Sequence, residues 1–431
     1  MKAYSSLIQR MLLLFSILQP CPLWAKEIGF GTTFSVDQLV SEVLAANPKL
    51  GMAQATWQAS LTTIEQQSSY DDLQFKYSFS PLTINSQKAA FGQRFEISQK
   101  LPFPGKFQLR EQVAEHHAKT KQQDIASLQL LLASTAKSLF SDWYFIHQAI
   151  AIDQQKQRLV KKFRDTAIAQ YSAGRANKQD VLRAEMQLAQ RQHQSITLQR
   201  QKKTRLAQLN TLLNRPVETP LPKPQALTEI KKLPALKSLL LKALHTRPEL
   251  KAINAKLNAY KAESELAEIN YYPDFKLSAG YNSLWDNEDK RFNIGVGINI
   301  PLDLSKKRAA KQQAKSNSQQ ASWQRIDLQA QIKQEITIAY ALTEESLHVF
   351  HLYHQQLSPL ANENLLVATT DYQAGKSDLL SLINSQQEQL QTQLETEQAL
   401  ATMHRHLAEL EQAVGSIEPL STADYAGIIA E

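Results

Sequence analysis

Four stretches of the chain alternate apolar and polar residues with period two. Leu73, Phe75, Tyr77 and Phe79 alternate with Gln74, Lys76 and Ser78, and Phe91, Phe95 and Ile97 stand opposite in parity to Arg94, Glu96 and Ser98. Farther along, Phe275, Leu277, Ala279 and Tyr281 alternate with Lys276, Ser278 and Gly280. Phe292, Ile294, Val296, Ile298 and Ile300 then alternate with Asn293, Gly295, Gly297 and Asn299. Period two predicts strands with one apolar face, over about 73–80, 91–101, 275–284 and 291–300. Between them, leucines recur at threes and fours among many alanines, which predicts close-packed helices. After Pro104 no proline occurs until Pro216, and a helix is predicted from about 105 to 171, some 67 residues or roughly 100 Å of rod.

The chain says most things twice. "AANPKLGMAQA" around Pro48 returns as "HTRPELKAINA" around Pro248, an offset of 200. "ISQKLPFPGK" around Pro102 returns as "INIPLDLSKK" around Pro301 at 199, and "YSAGRANKQDVL" from Tyr171 returns as "YQAGKSDLLSLI" from Tyr372 at 201. Three anchors in one order at nearly one offset indicate duplication of the whole mature chain. The expected organisation is a leader over 1–25, a first repeat over 26–215, a proline-rich connector over 216–235, a second repeat over 236–415 and a tail over 416–431. The first repeat holds a helical segment over about 36–69, the first two strands, the long helix and a return helix over about 177–213. The second holds the other strands, a long helix over about 304–372 with Pro359 as a kink, and a return helix over about 377–413.

Ten-residue strands, apolar on one face and edged by aromatics such as Tyr271, Tyr272 and Trp285, fit a membrane β-barrel. They also fit a small amphipathic sheet packed on the helices. Glycine and asparagine on the polar parity favour the barrel. Four strands cannot close a barrel and an open edge is not tolerated in lipid, so a barrel would need several chains. Pro102 and Pro104 stop strand pairing and Gly105 supplies the bend, so this segment would turn the chain from membrane strand to helix. Phe103 would then lie at the interface.

Composition narrows the class. The first 25 residues have a basic start (Lys2, Arg10), the apolar core "MLLLFSIL" and a small-residue end before Lys26, a secretory signal. Cleavage after Ala25 removes Cys21, the single cysteine; acylation of Cys21 is the alternative. No later window is apolar enough for a spanning helix. Loss of Lys2 and Arg10 takes the formal charge from +7 to +5, and the remaining charges are interspersed along helices, which argues against nucleic acid as a partner.

These pieces together resemble the outer membrane efflux protein (TolC) family over nearly all of the mature chain. The resemblance is carried by "NPKL" and "RPEL", by "SQKLPFPGK" and "INIPLDL", and by the Y-x-x-G turns at Tyr171 and Tyr372. The "PFPGK" form looks most like the heavy-metal and cation efflux branch. The resemblance implies a homotrimer in the outer membrane of a Gram-negative bacterium. Its twelve strands would form one barrel, continued by a helical tunnel across the periplasm. It also implies a periplasmic adaptor and an inner-membrane transporter of the proton-driven resistance-nodulation-division type as partners. The protein itself would be a passive duct, with metal cations as the candidate cargo of that branch and with no enzymatic role, cofactor or bound metal. A soluble periplasmic coiled-coil adaptor or scaffold is the rival reading.

By the same resemblance the periplasmic tip, where the duct closes, is built from Tyr171, Gly174, Arg175, Asp180, Tyr372, Gly375 and Lys376. Asp180 matches the family's acidic position. Ser381 and Asn384 stand where some members place aspartates, which weakens the case for an acidic, cation-selective aperture. A hydrogen bond from Tyr372 to Asp180, with Arg175 and Lys376 alongside, would latch the closed state; alternatively Asp180 caps the returning helix. Pro102, Phe103, Pro104, Gly105 and Pro301 mark the membrane boundary. No phosphate-binding glycine loop, nucleophile elbow or HExxH pair is present. His348, His351 and His354 come at threes on one helix and drift about 60° per step, a poor arrangement for one ion.

Overall fold

The two copies fold alike, except that the single long helix of the first is interrupted by a π turn in the second. A computed structural model describes residues 33–80, 92–174, 177–283, 291–300 and 303–420. The leader with Cys21, Phe91, Arg175, Trp285, Pro301 and the tail beyond residue 420 lie outside the described residues. The first copy runs β1 (Thr33–Phe34), α1 (Val36–Ala46), α2 (Pro48–Ser68), β2 (Gln74–Ser80), β3 (Gly92–Leu101), α3 (Lys106–Ser172) and α4 (Lys178–Leu212). After β4 (Lys223–Pro224) the second runs α5 (Leu236–Thr246), α6 (Pro248–Ile269), β5 (Asp274–Asn282), β6 (Phe292–Asn299), α7 (Leu304–Leu352), a π-helical turn (Tyr353–Leu357), α8 (Ser358–Gln373) and α9 (Leu379–Val414).

The first helical segment is not one helix, as its periodicity suggests, but two. Asn47 breaks it with an extended backbone, and its side chain caps α2 by accepting from Lys49 N–H at 3.0 Å. The same side chain donates to Leu212 O at 3.0 Å, satisfying a carbonyl that the end of α4 leaves open. Arg247 does the same in the second copy, donating to Ala413 O at 2.9 Å at the end of α9. Each break thus ties a short helix pair to the return helix of its own copy.

The kink expected at Pro359 is a full π turn just ahead of it. Proline clashes with the carbonyl four residues back, and the backbone absorbs this by widening: Ser358 N–H donates to Tyr353 O, five residues earlier. The connector is more than a linker. Lys223–Pro224 pairs in parallel with Thr33–Phe34, and Trp143 Nε1 donates to Pro222 O at 3.2 Å.

The 67-residue α3 is the spine, packed against α2, α4, α6 and α9. Apolar side chains fill the seams in two matching clusters. Leu39, Val43, Leu50, Trp143, Leu209 and Leu213 form one; Leu239, Ala243, Leu250, Ile336, Leu410 and Val414 form its counterpart. A further cluster around Ile152, Phe163, Ala184, Ile383 and Leu390 joins the copies toward the far end of the helices. Lys137 Nζ donates to Glu411 Oε2 at 2.6 Å and also bridges the copies. Among the described residues no helix is long and apolar enough to cross a membrane.

Candidate functional site

The four longer strands form one antiparallel sheet in the order β2-β3-β5-β6. Its register aligns the period-two patterns of all four. Lys76 pairs with Glu96, Glu96 with Gly280 and Gly280 with Asn293, while Ser98 pairs with Ser278 and Lys100 with Lys276. The polar residues therefore share one face. Phe75, Tyr77, Phe95, Ile97, Leu277, Tyr281, Ile294 and Val296 share the other. Ile294 is 83% and Val296 74% exposed, and Phe75 and Phe292 are also largely open, so the apolar face has no cover among the described residues. A continuous exposed apolar surface of this kind fits lipid. Aromatic rings stiffen it: Tyr77 lies 4.9 Å and Tyr281 6.4 Å from Phe95, and Phe292 lies 5.1 Å from Tyr281. On the polar face small residues let their neighbours lie flat. A Cβ at Gly280 would meet Asn293 Oδ1 at 2.7 Å, and one at Gly295 would meet Ser278 Oγ at 2.8 Å.

Where β3 becomes α3, the bend expected at Pro102–Gly105 is present. Gly105 adopts φ +91° as the N-terminal flank of α3, and Lys106 N–H donates to Phe103 O at 3.1 Å. Phe103 stacks on Tyr272 at 4.7 Å and 15°. An ion pair that the sequence reading did not single out locks this turn to the other copy. Lys106, 3% exposed, donates to Asp274 Oδ1 at 2.7 Å and to Tyr272 O at 3.0 Å, while Phe103 N–H donates to Asp274 at 3.1 Å.

At the opposite end the two Y-x-x-G turns have the same backbone. Gly174 at φ +69° donates to Tyr171 O at 2.9 Å, and Gly375 at φ +72° donates to Tyr372 O at 3.1 Å. Lys376 N–H closes the second turn onto Asp371 O at 2.9 Å. The returning helices start differently. Asn177 flanks α4 without a side-chain cap bond and Asp180 sits in the first turn, whereas Asp378 caps α9 by accepting from Ser381 N–H at 2.8 Å. An acidic group thus serves each helix start, three residues deeper in the first copy than in the second. Within this single chain Asp180 and Tyr372, both described, share no hydrogen bond, and Tyr372 is 40% exposed. Asn384 is exposed beside a polar cleft with Lys156, Arg191 and Gln387. Lys156 Nζ donates to Gln391 Oε1 at 2.8 Å across that cleft; burial first, then Arg191, holds its ammonium below the usual lysine range.

The histidines at threes do not converge. His351 lies 3.5 Å from Glu229 of the connector and His354 stacks on Phe350 at 5.3 Å. Among the described residues no group of three metal-ligating side chains comes together.

The family model "Outer membrane efflux protein" matches residues 239–416. The "Pyoverdine export outer membrane protein OpmQ" of Pseudomonas aeruginosa is 24% identical over 424 residues, covering 94% of this chain and 84% of that protein. Among solved structures, the outer membrane protein VceC from Vibrio cholerae superposes with a TM-score of 0.73 at 18% identity, over 89% of this chain and 97% of that one. CusC, described for transmembrane channel formation, gives 0.73 at 18% identity over 93% and 97%. With its helical rod, its two-faced sheet and these likenesses, the chain carries an outer membrane efflux protein domain over residues 239–416 and is an exit duct in the outer membrane of a Gram-negative bacterium, with a large periplasmic portion.

Proposed function

We propose that three copies close the duct, giving one twelve-stranded barrel in the membrane and one helical tunnel beneath it. The observation that carries this is the sheet with both edges open. Among the described residues β2 and β6 pair on one side only and the apolar face is uncovered, and four strands cannot form a lumen. Pairing β6 of one copy with β2 of the next satisfies both edges in a closed ring of three. A soluble adaptor would have no use for an exposed apolar sheet.

The duct then works passively, receiving cargo through a periplasmic adaptor from an inner-membrane transporter of the resistance-nodulation-division type. The Tyr171 and Tyr372 turns would ring its periplasmic aperture, with Asp180 of one copy free to meet a neighbour's tip. Similarity to a pyoverdine exporter supports an export role for the duct. Metal cations as cargo rest only on the look of the "PFPGK" segment.

Cysteines introduced singly and in pairs along β2 (Tyr77 and its neighbours) and β6 (Val296 and its neighbours) test the assembly. Oxidation of outer-membrane fractions should give a ladder that stops at three chains for some pair. A chain released without detergent, or one that cross-links only to dimers, would overturn the proposal. Conductance after Asp180→Ala tests the tip, since an unchanged closed state would exclude a latch at that residue.

A further inference from the structure

We propose that the polar face of the sheet is an anion-conducting surface, so that the membrane portion of the duct prefers anionic cargo and repels free metal cations. This rests on the trimeric duct reading, which turns that face toward the lumen.

The register fixes where each charge stands. β2 rises from the helical rod and β3 returns to it, so Gln74 and Lys100 lie at the base and Ser80 and Gly92 near the outer mouth. Along this face Lys100 and Lys276 pair at the base, Lys76 stands midway opposite Glu96, and Arg94 lies nearer the mouth opposite Ser78. Four cations therefore face two carboxylates, Glu96 and Asp274, a net of two positive charges per chain on the described strands. β6 adds only Asn293, Gly295, Gly297 and Asn299 to this face and no charge.

The carboxylates are already committed. Glu96 is engaged by Arg94 at 2.9 Å and by Lys276 at 3.7 Å. Asp274 is bound at 2.7 Å by the buried Lys106, with Lys100 only at 4.0 Å. Among the described residues Lys76 makes no ion pair, and it is exposed. Successive levels on one face are about 7 Å apart along a strand. That is shorter than the Debye length of about 8 Å at physiological salt, so the levels add to one positive field along the barrel. Three copies triple it inside a wall whose far side is lipid, the geometry in which charged rings set ion selectivity.

Purified trimers in a planar bilayer under a KCl gradient test the inference. The reversal potential should show chloride preferred over potassium. Lys76→Gln with Lys276→Gln, which cancels the net charge, should lower the chloride-to-potassium permeability ratio by at least about twofold. Where no current flows, the trisulfonated dye pyranine is titrated onto the same trimers by fluorescence anisotropy. It should bind in a salt-dependent way, and the double variant should bind it several-fold more weakly. Potassium preference in the wild type, or a reversal potential and dye affinity that the variant leaves unchanged, overturns the inference while the duct stands. Absence of outer-membrane trimers overturns the duct reading itself.

Discussion

Asp274→Ala removes the carboxylate that holds the buried Lys106 at the turn from sheet to helix. Two hydrogen bonds depend on the carboxylate, from Lys106 Nζ and from Phe103 N–H, and Lys106 retains only Tyr272 O afterwards. The Lys106 side chain is 3% exposed, so water cannot replace the lost partner without opening the turn. Breaking a buried pair by deleting one member costs about 3–5 kcal/mol per chain. For 431 residues the unfolding entropy is about 0.9 kcal/mol per kelvin. A loss of about 4 kcal/mol therefore lowers the midpoint by about 4 °C. The assay is a thermal scan of detergent-solubilised protein at one fixed scan rate, because such unfolding is read as an apparent midpoint. Asp274→Leu combined with Lys106→Met removes both charges and should recover at least half of the drop. A single-variant shift under about 1 °C, or a double variant that falls as far as the two single changes together, refutes the idea that this ion pair clamps the turn.

Gly375→Ala should cost about 1–2 kcal/mol through backbone strain alone, since φ is +72° and nothing lies within 4 Å of the added Cβ; faster amide exchange confined to the tip would show it. Asp378→Ala should fray the start of α9 by about 0.5–2 kcal/mol, whereas Asn177→Ala, which loses no side-chain cap bond, should change α4 by less than about 0.5 kcal/mol; exchange rates of the two first turns make the comparison. His147 is held at about 4 instead of 6.5 by burial first and by Lys202 and Lys223 next. An unfolded chain therefore takes up a proton between about pH 6.5 and 4 that the folded chain refuses, and stability falls as pH drops through that window. The full shift amounts to about 3 kcal/mol, reduced to about 1–2 by the ring's partial access to water, and His147→Gln should flatten the midpoint-against-pH curve by that much.

The sequence by itself carried the duplication, the two-faced strands, the long rod and the punctuation at Pro102–Gly105, because each is a local pattern. Side-chain period, proline and glycine act on neighbouring residues whatever the rest of the chain does. It could not show that Asn47 splits the first helical segment. An asparagine reads as an ordinary polar position until the carbonyl of Leu212, 165 residues away, is brought to its side chain. Nor could it show the π turn before Pro359, a compromise between the proline ring and a helix held straight by packing on α9. The Lys106–Asp274 pair, the strand that Lys223–Pro224 offers to Thr33–Phe34, and the alignment of Lys76, Arg94, Lys100 and Lys276 on one face are contacts between distant segments. Only the tertiary fold decided them. Which charges meet depends on strand register, and the β3–β5 register, which joins the two copies, pairs residues about 180 positions apart that no single run of the sequence brings together.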